Sequence, residues 1–226
     1  MSHDFKLSCV LFDLDGTLVD TAPDLIACLN FALADSGIET IRAESVRPLI
    51  SFGASAMIKL CLQDRFTQDL HDSLLITMLD HYQTHIAEHS VFFPGMPETL
   101  ASIEASGLKW GVITNKQKRF TEPLMTALDL NQRAACIISG DSTGNSKPHP
   151  EPMFAGCKQA DVAPEECVYI GDASHDIAAG KNAGMKTLAA LYGYLKPEDT
   201  PHSWGADALI EHPEQIEAWI KTALCH

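Results

Sequence analysis

The chain has 226 residues, 46% hydrophobic and 20% charged, enough for one α/β core plus a smaller unit. Lys and Arg number 16 against 30 Asp and Glu, a formal net charge of −14. That balance argues against a nucleic-acid backbone or an anionic membrane surface as the main partner, but it leaves room for a small anion gripped by one or two cations. The first apolar run, Leu7–Phe12, reads as a buried strand. From 21 to 90 no strand signal occurs, and the pattern predicts helices over Asp24–Asp35, Ala43–Ile50, Ala54–Leu62 and Gln68–Glu88. A stretch of 70 residues is too long for a strand-to-helix connection, so 21–90 is predicted to be a small helical domain inserted into a core made of 1–20 and 91–226. Phe93-Pro94-Gly95 would be its return hinge. A helix over Met96–Ser106 then stops at Gly107, and strands follow at Leu108–Ile113, Cys136–Ile138 and Cys167–Ile170. A helix over Ser174–Ala183 stops at Gly184, and further strands are predicted at Thr187–Leu191 and Ala208–Ile210, before a last helix whose outer face begins near Glu211. Strands alternating with helices predict an α/β fold with a doubly wound, Rossmann-like parallel sheet.

Chemistry-bearing residues follow four of these strands. Asp13-Leu14-Asp15-Gly16-Thr17 follows the first, Thr114 and Asn115 the second, Ser146-Lys147-Pro148 comes shortly after the third, and Gly171-Asp172-Ala173-Ser174-His175-Asp176 follows the fourth. The carboxyl ends of parallel strands face one crevice, so these groups are expected to converge there. Asp13 and Asp15 are two apart on extended chain and project to one side. Several carboxylates brought together repel unless a cation sits among them, and hard oxygen donors without a Cys or His set favour Mg²⁺. Lys147 is a point charge suited to a phosphoryl oxygen, Thr114 offers a hydroxyl donor, and Gly16 permits a tight turn. The set reads as phosphoryl transfer: one carboxylate attacks phosphorus, another protonates the leaving oxygen and then activates water.

The run Phe12-Asp13-Leu14-Asp15-Gly16-Thr17-Leu18-Val19-Asp20, with the three later motifs, resembles the haloacid dehalogenase superfamily of phosphatases over essentially the whole chain. That resemblance implies Asp13 as nucleophile and Asp15 as general acid/base. It implies Mg²⁺ held by Asp13, the Asp15 backbone carbonyl and Asp172, with Thr114, Asn115 and Lys147 on the phosphoryl group. Asp176 would orient Lys147 or a metal-bound water. The insert resembles a helical cap of the first cap class. Thr114-Asn115-Lys116, Asn145-Ser146-Lys147-Pro148-His149-Pro150 and Tyr192-Gly193-Tyr194 are similar to phosphoglycolate phosphatases. The region of Pro197-Glu198-Asp199 and Trp204-Gly205-Ala206-Asp207 is also similar to a sister group acting on N-acetylmuramic acid 6-phosphate. Gln117 departs from relatives that carry Pro after the Lys.

The expected activity is therefore Mg²⁺-dependent hydrolysis of a small carboxylated phosphomonoester, phosphoglycolate first and N-acetylmuramic acid 6-phosphate as the alternative. A phosphomutase, or an inert binding protein on the same scaffold, are the readings of another type. Arg47, ahead of the break Ile50-Ser51-Phe52-Gly53-Ala54-Ser55, is a candidate clamp for the substrate carboxylate, because relatives touch substrate with such a cap loop. His81, His85 and His89 recur every four residues and read as a solvated helix face. Met57, Met78 and Met125 read as core. The scattered cysteines Cys9, Cys28, Cys61, Cys136, Cys157, Cys167 and Cys225 form no Cys-x-x-Cys and read as free thiols in a reducing cytoplasm. No apolar run approaches the ~18 residues of a membrane span. Expected partners are a small-molecule substrate, no nucleic acid and no membrane, with a monomer or homodimer both compatible.

Overall fold

A computed structural model describes residues 5–224. The elements are β1 (Cys9–Phe12), β2 (Val19–Asp20), α1 (Ala22–Asp35), α2 (Ala43–Val46), α3 (Ala54–Leu62), α4 (Gln68–Thr84) and β3 (Val91–Phe92). They continue with α5 (Met96–Ala105), β4 (Lys109–Ile113), α6 (Lys118–Ala127), β5 (Ile137–Ile138), α7 (Glu151–Ala160), β6 (Cys167–Gly171), α8 (Ser174–Asn182), β7 (Lys186–Ala190), β8 (Ala208–Ile210) and α9 (Glu214–Leu224). Six strands form one parallel sheet in the order β5-β4-β1-β6-β7-β8. β1 lies between β4 and β6, with Phe12 in register with Val112 and Ile170. The chain builds β4 and β5 on one side of β1 and then crosses to β6, β7 and β8 on the other, so the crevice at the carboxyl end of β1 is the topological switch point.

Burial on both faces explains why β1 reads as an uninterrupted apolar run. Val10 and Phe12 enter the larger core, whereas Cys9 and Leu11 enter a second core beneath α7 and α8, as strand alternation requires. Cys136, Cys157 and Cys167 share that second core, and the six cysteines through Cys167 are free thiols. Cys225 lies outside the described residues. Met57, Met78 and Met125 are buried in the larger core.

The stretch 21–90 is helical throughout its regular structure, and α1 packs on α3 and α4. Three details differ from the sequence pattern. The helix from Ala43 ends at Val46 and gives way to a 3-10 turn over Arg47–Phe52, because Pro48 has no N–H to continue the ladder. α4 ends at Thr84 rather than Glu88. Beyond it Asp24, buried in the first turn of α1, accepts hydrogen bonds from His89 N (2.8 Å), Ser90 N (2.9 Å) and Ser90 Oγ (2.6 Å) and draws the chain away from the helix axis. The third is a small antiparallel pair, β2 with β3, which ties the two crossings between the helical stretch and the sheet. His81 and His85 are not a fully solvated face: their rings stack at 3.8 Å, and His81 stacks on Phe31 at 3.8 Å. No helix among the described residues is long and apolar enough to cross a membrane.

Candidate active site

Asp13 is the first residue beyond β1, and its N–H continues the ladder to Ile170 O at 2.8 Å. Its carboxylate is thereby fixed at the end of the central strand. One carboxylate oxygen each from Asp13, Asp172 and Asp176 lies within 4.8 Å of the others, and all three residues are buried. Asp172 follows β6 and accepts from Tyr194 N (2.8 Å), Ser51 Oγ (3.0 Å) and Thr17 Oγ1 (3.3 Å). Gly16, at φ +85°, passes so close that a Cβ would collide with the Asp172 carboxylate.

Lys147 has no exposed side chain. Its Nζ donates to Asp176 Oδ1 (2.7 Å), Tyr169 Oη (2.8 Å) and Ile113 O (3.1 Å). Those three bonds use its donors. Asp13 Oδ1, 2.8 Å away, therefore feels the charge but has no aligned hydrogen bond. Burial alone would lower the Lys147 ammonium, but Asp13 and Asp176 outweigh it and hold the group charged. Burial pushes the Asp13 carboxyl up against the opposing pull of Lys147, and burial with the charge of Asp176 pushes Asp172 up. Three carboxylates against one ammonium leave an excess of negative charge, and Asp13 Oδ1 meets Lys147 as an ion pair without an aligned hydrogen bond. A hard divalent cation fits that deficit, and the all-oxygen donor set matches it.

Asp15 turns to different partners. Lys116 Nζ is 2.9 Å from its Oδ1 and 3.3 Å from its Oδ2, and Thr21 Oγ1 donates to Oδ1 at 2.5 Å. Lys116 is itself buried, with the Tyr82 ring centre 4.7 Å from its Nζ. Burial would lower this ammonium, and Asp15 with Tyr82 more than reverses that. Lys116 is the residue that motif reading missed. It stands beside Thr114 and Asn115, but its charge gave no sign that it would fold back onto Asp15.

Thr114 Oγ1 accepts from Lys116 N at 3.1 Å, which leaves the hydroxyl proton to donate. Asn115 lines the cavity and also braces Lys147. Its carboxamide accepts from Lys147 N (3.0 Å) and donates to Lys147 O (3.1 Å), so it aligns the Lys147 backbone. Arg47 is not among the residues lining the cavity. Its Nη2 pairs with Asp20 Oδ2 at 2.7 Å, and its guanidinium lies over the Tyr194 ring at 5.0 Å, beside β2. His175 lines the cavity wall.

A cavity of about 380 Å³ opens over these groups. Its lining includes Asp13, Asp15, Thr114 and Lys116 at the sheet edge and Ile50 to Ser55, Met57, Leu79 and Tyr82 from the helical stretch. Among the described residues, the buried side-chain polar atoms without a hydrogen-bond partner are Asp13 Oδ1 and Tyr82 Oη, and both residues line this cavity.

The sequence pattern of the haloacid dehalogenase-like hydrolase family matches residues 10–190. Among curated proteins, an N-acetylmuramic acid 6-phosphate phosphatase of Pseudomonas putida is 44% identical over 220 residues, covering 97% of this chain and 99% of that protein. A phosphoglycolate phosphatase of Xanthomonas campestris is 37% identical over 207 residues, covering 92% and 93%. A crystal structure described as a predicted phosphoglycolate phosphatase from Haemophilus somnus superposes with a TM-score of 0.85 at 26% identity, covering 97% of this chain and all of that one. With the strand-end carboxylates and buried Lys147 in place, the chain belongs to the haloacid dehalogenase-like hydrolase family and is one of its phosphatases.

Proposed function

We propose that the chain hydrolyses a carboxylated phosphomonoester through a phosphorylated Asp13, with Mg²⁺ as its metal. The observation that carries this reading is Asp13 itself, a buried carboxylate at a strand end ion-paired with Lys147 Nζ at 2.8 Å and clustered with Asp172 and Asp176. Asp13 attacks phosphorus and displaces the alcohol. Asp15, held by Lys116 and Thr21, gives the departing oxygen its proton and then takes one from the water that cleaves the acyl phosphate. Thr114 and Lys147 bind the phosphoryl oxygens, Asn115 aligns Lys147, and Asp176 holds the Lys147 ammonium. Asp13, Asp172 and the Asp15 carbonyl would hold Mg²⁺, which neutralises charge on the transferring group when bound.

Residues 21–90 serve in this reading as a cap that closes over the substrate and excludes bulk water. Ser51 supports it by reaching from that stretch to Asp172. The crossings are fastened by the β2–β3 pair and by Asp24 with Ser90. Free thiols fit a cytoplasmic location.

Of the two candidate substrates, N-acetylmuramic acid 6-phosphate is favoured over phosphoglycolate. A cavity of about 380 Å³ is larger than a two-carbon acid needs and falls in the ~300–1,000 Å³ range of sites for larger ligands. Its outer wall includes the apolar side chains of Leu25, Met57, Leu75, Leu79 and Phe120, which suit the carbon face of a sugar. The test is kcat/KM for the two compounds side by side, with Mg²⁺ and with chelator. The reading requires Mg²⁺-dependent release of phosphate and a higher kcat/KM for the amino-sugar phosphate. A higher value for phosphoglycolate would reverse the choice, and turnover of neither would refute the substrate class.

A further inference from the structure

Ser55 stands in the first turn of α3 and lines the same cavity as Asp13. Its Oγ is 2.9 Å from Nε2 of His71, a buried residue in the first turns of α4. The other ring nitrogen, Nδ1, is 2.9 Å from Asp72 Oδ1. Gln68 Nε2 donates to the same Asp72 oxygen at 2.7 Å and steadies it. None of these four side chains takes part in the phosphoryl chemistry.

The directions follow for a neutral His71 ring turned by Asp72. A carboxylate only accepts, so His71 Nδ1 carries the hydrogen that bonds Asp72. In the neutral ring Nε2 is then a bare acceptor, and the Ser55 hydroxyl must spend its single proton on it. What Ser55 presents to the cavity is lone pairs. A hydroxyl locked in that sense receives a hydrogen bond from an O–H or N–H and repels a carboxylate.

We propose that Ser55 is a specificity-determining contact: its oxygen, held as an acceptor by His71 and Asp72, takes a hydrogen bond from a hydroxyl or amide N–H on the leaving group. His71 is the positioning residue. The proposal rests on the phosphatase reading and deepens it, because it separates the two substrate types. A sugar carries hydroxyls and an acetamide N–H. Ionised phosphoglycolate offers only acceptors, so it gains nothing at Ser55 and meets repulsion there.

The experiment uses the whole enzyme at one fixed pH throughout. Ser55→Ala should lower kcat/KM for N-acetylmuramic acid 6-phosphate relative to phosphoglycolate by about tenfold, the worth of one hydrogen bond. Ser55→Thr, which keeps the hydroxyl, should restore the ratio. His71→Leu frees the Ser55 proton to donate and should shift the ratio toward phosphoglycolate in the same way. Calorimetry with N-acetylmuramic acid, without metal, supplies a readout independent of turnover: Ser55→Ala should weaken binding about tenfold. An unchanged ratio, an equal loss on both phosphates, or equal affinity of wild type and Ser55→Ala for the sugar would overturn the proposal. Ser, His and Asp in this order also serve acyl hydrolases. Hydrolysis of p-nitrophenyl acetate that disappears in Ser55→Ala would likewise overturn it, in favour of acyl transfer. If wild type turns over neither phosphate, the substrate reading fails, while the calorimetric comparison still decides the role of Ser55.

Discussion

Lys116 Nζ lies 2.9 Å from Asp15 Oδ1 and 4.7 Å from the centre of the Tyr82 ring, so one buried ammonium joins the Asp15 carboxylate to α4. Replacing it uncouples the two. Lys116→Met should destabilise the fold by about 3 kcal/mol in urea unfolding, since Asp15 loses the charge that balances it. It should also lower kcat by about 10–100-fold with a smaller change in KM, because Asp15 acts on the reacting bond rather than on binding. A change confined to KM would contradict the role given to this pair.

Asp13 and Asp172 have carboxyls raised by burial. The folded state therefore keeps protons that the unfolded chain has already released, so the contribution of these groups to stability falls as pH rises from the ordinary carboxylate range toward neutrality. A metal competes with those protons for the same oxygens. The rise in Tm on adding Mg²⁺ should thus be larger at about pH 8 than at about pH 5, as differential scanning fluorimetry would record. An equal rise at both pH values would count against a carboxylate-held metal.

Tyr82 buries a hydroxyl that makes no well-aligned hydrogen bond, while its ring packs on Lys116 and Phe120. Tyr82→Phe keeps the ring and removes the cost of that hydroxyl. The variant should gain about 1 kcal/mol, or roughly 2–4 °C in Tm for a chain of this size. A lower Tm would show that the hydroxyl is partnered in solution.

Asp13, Thr114 and Asp172 were legible in the sequence because each directly follows a strand that reads as a continuous apolar run, and strand ends in a parallel sheet share one edge; Lys147, in the loop between β5 and α7, was legible from its motif. The three-residue β8 was also legible, as an apolar run in the rhythm of the core. The β2–β3 pair was not, since two-residue strands carry no period. The reach of Lys116 to Asp15 crosses 101 positions, and the Ser55–His71 contact joins two helices, so neither leaves a local pattern. Arg47 misled for a related reason. Its neighbourhood in sequence pointed to the cavity, but Asp20 and the Tyr194 ring, brought near by the fold, hold it beside β2.

Covalent phosphorylation of Asp13 is the step on which the proposed mechanism turns. Wild-type enzyme mixed with N-acetylmuramic acid 6-phosphate and Mg²⁺, quenched in acid within a turnover and digested, should yield a base-labile acyl phosphate on the peptide that contains Asp13, located by mass spectrometry. Asp13→Asn should yield none and lose at least about 10³-fold in kcat while remaining folded. A phosphorylated residue elsewhere, or near-normal turnover by Asp13→Asn, would contradict it.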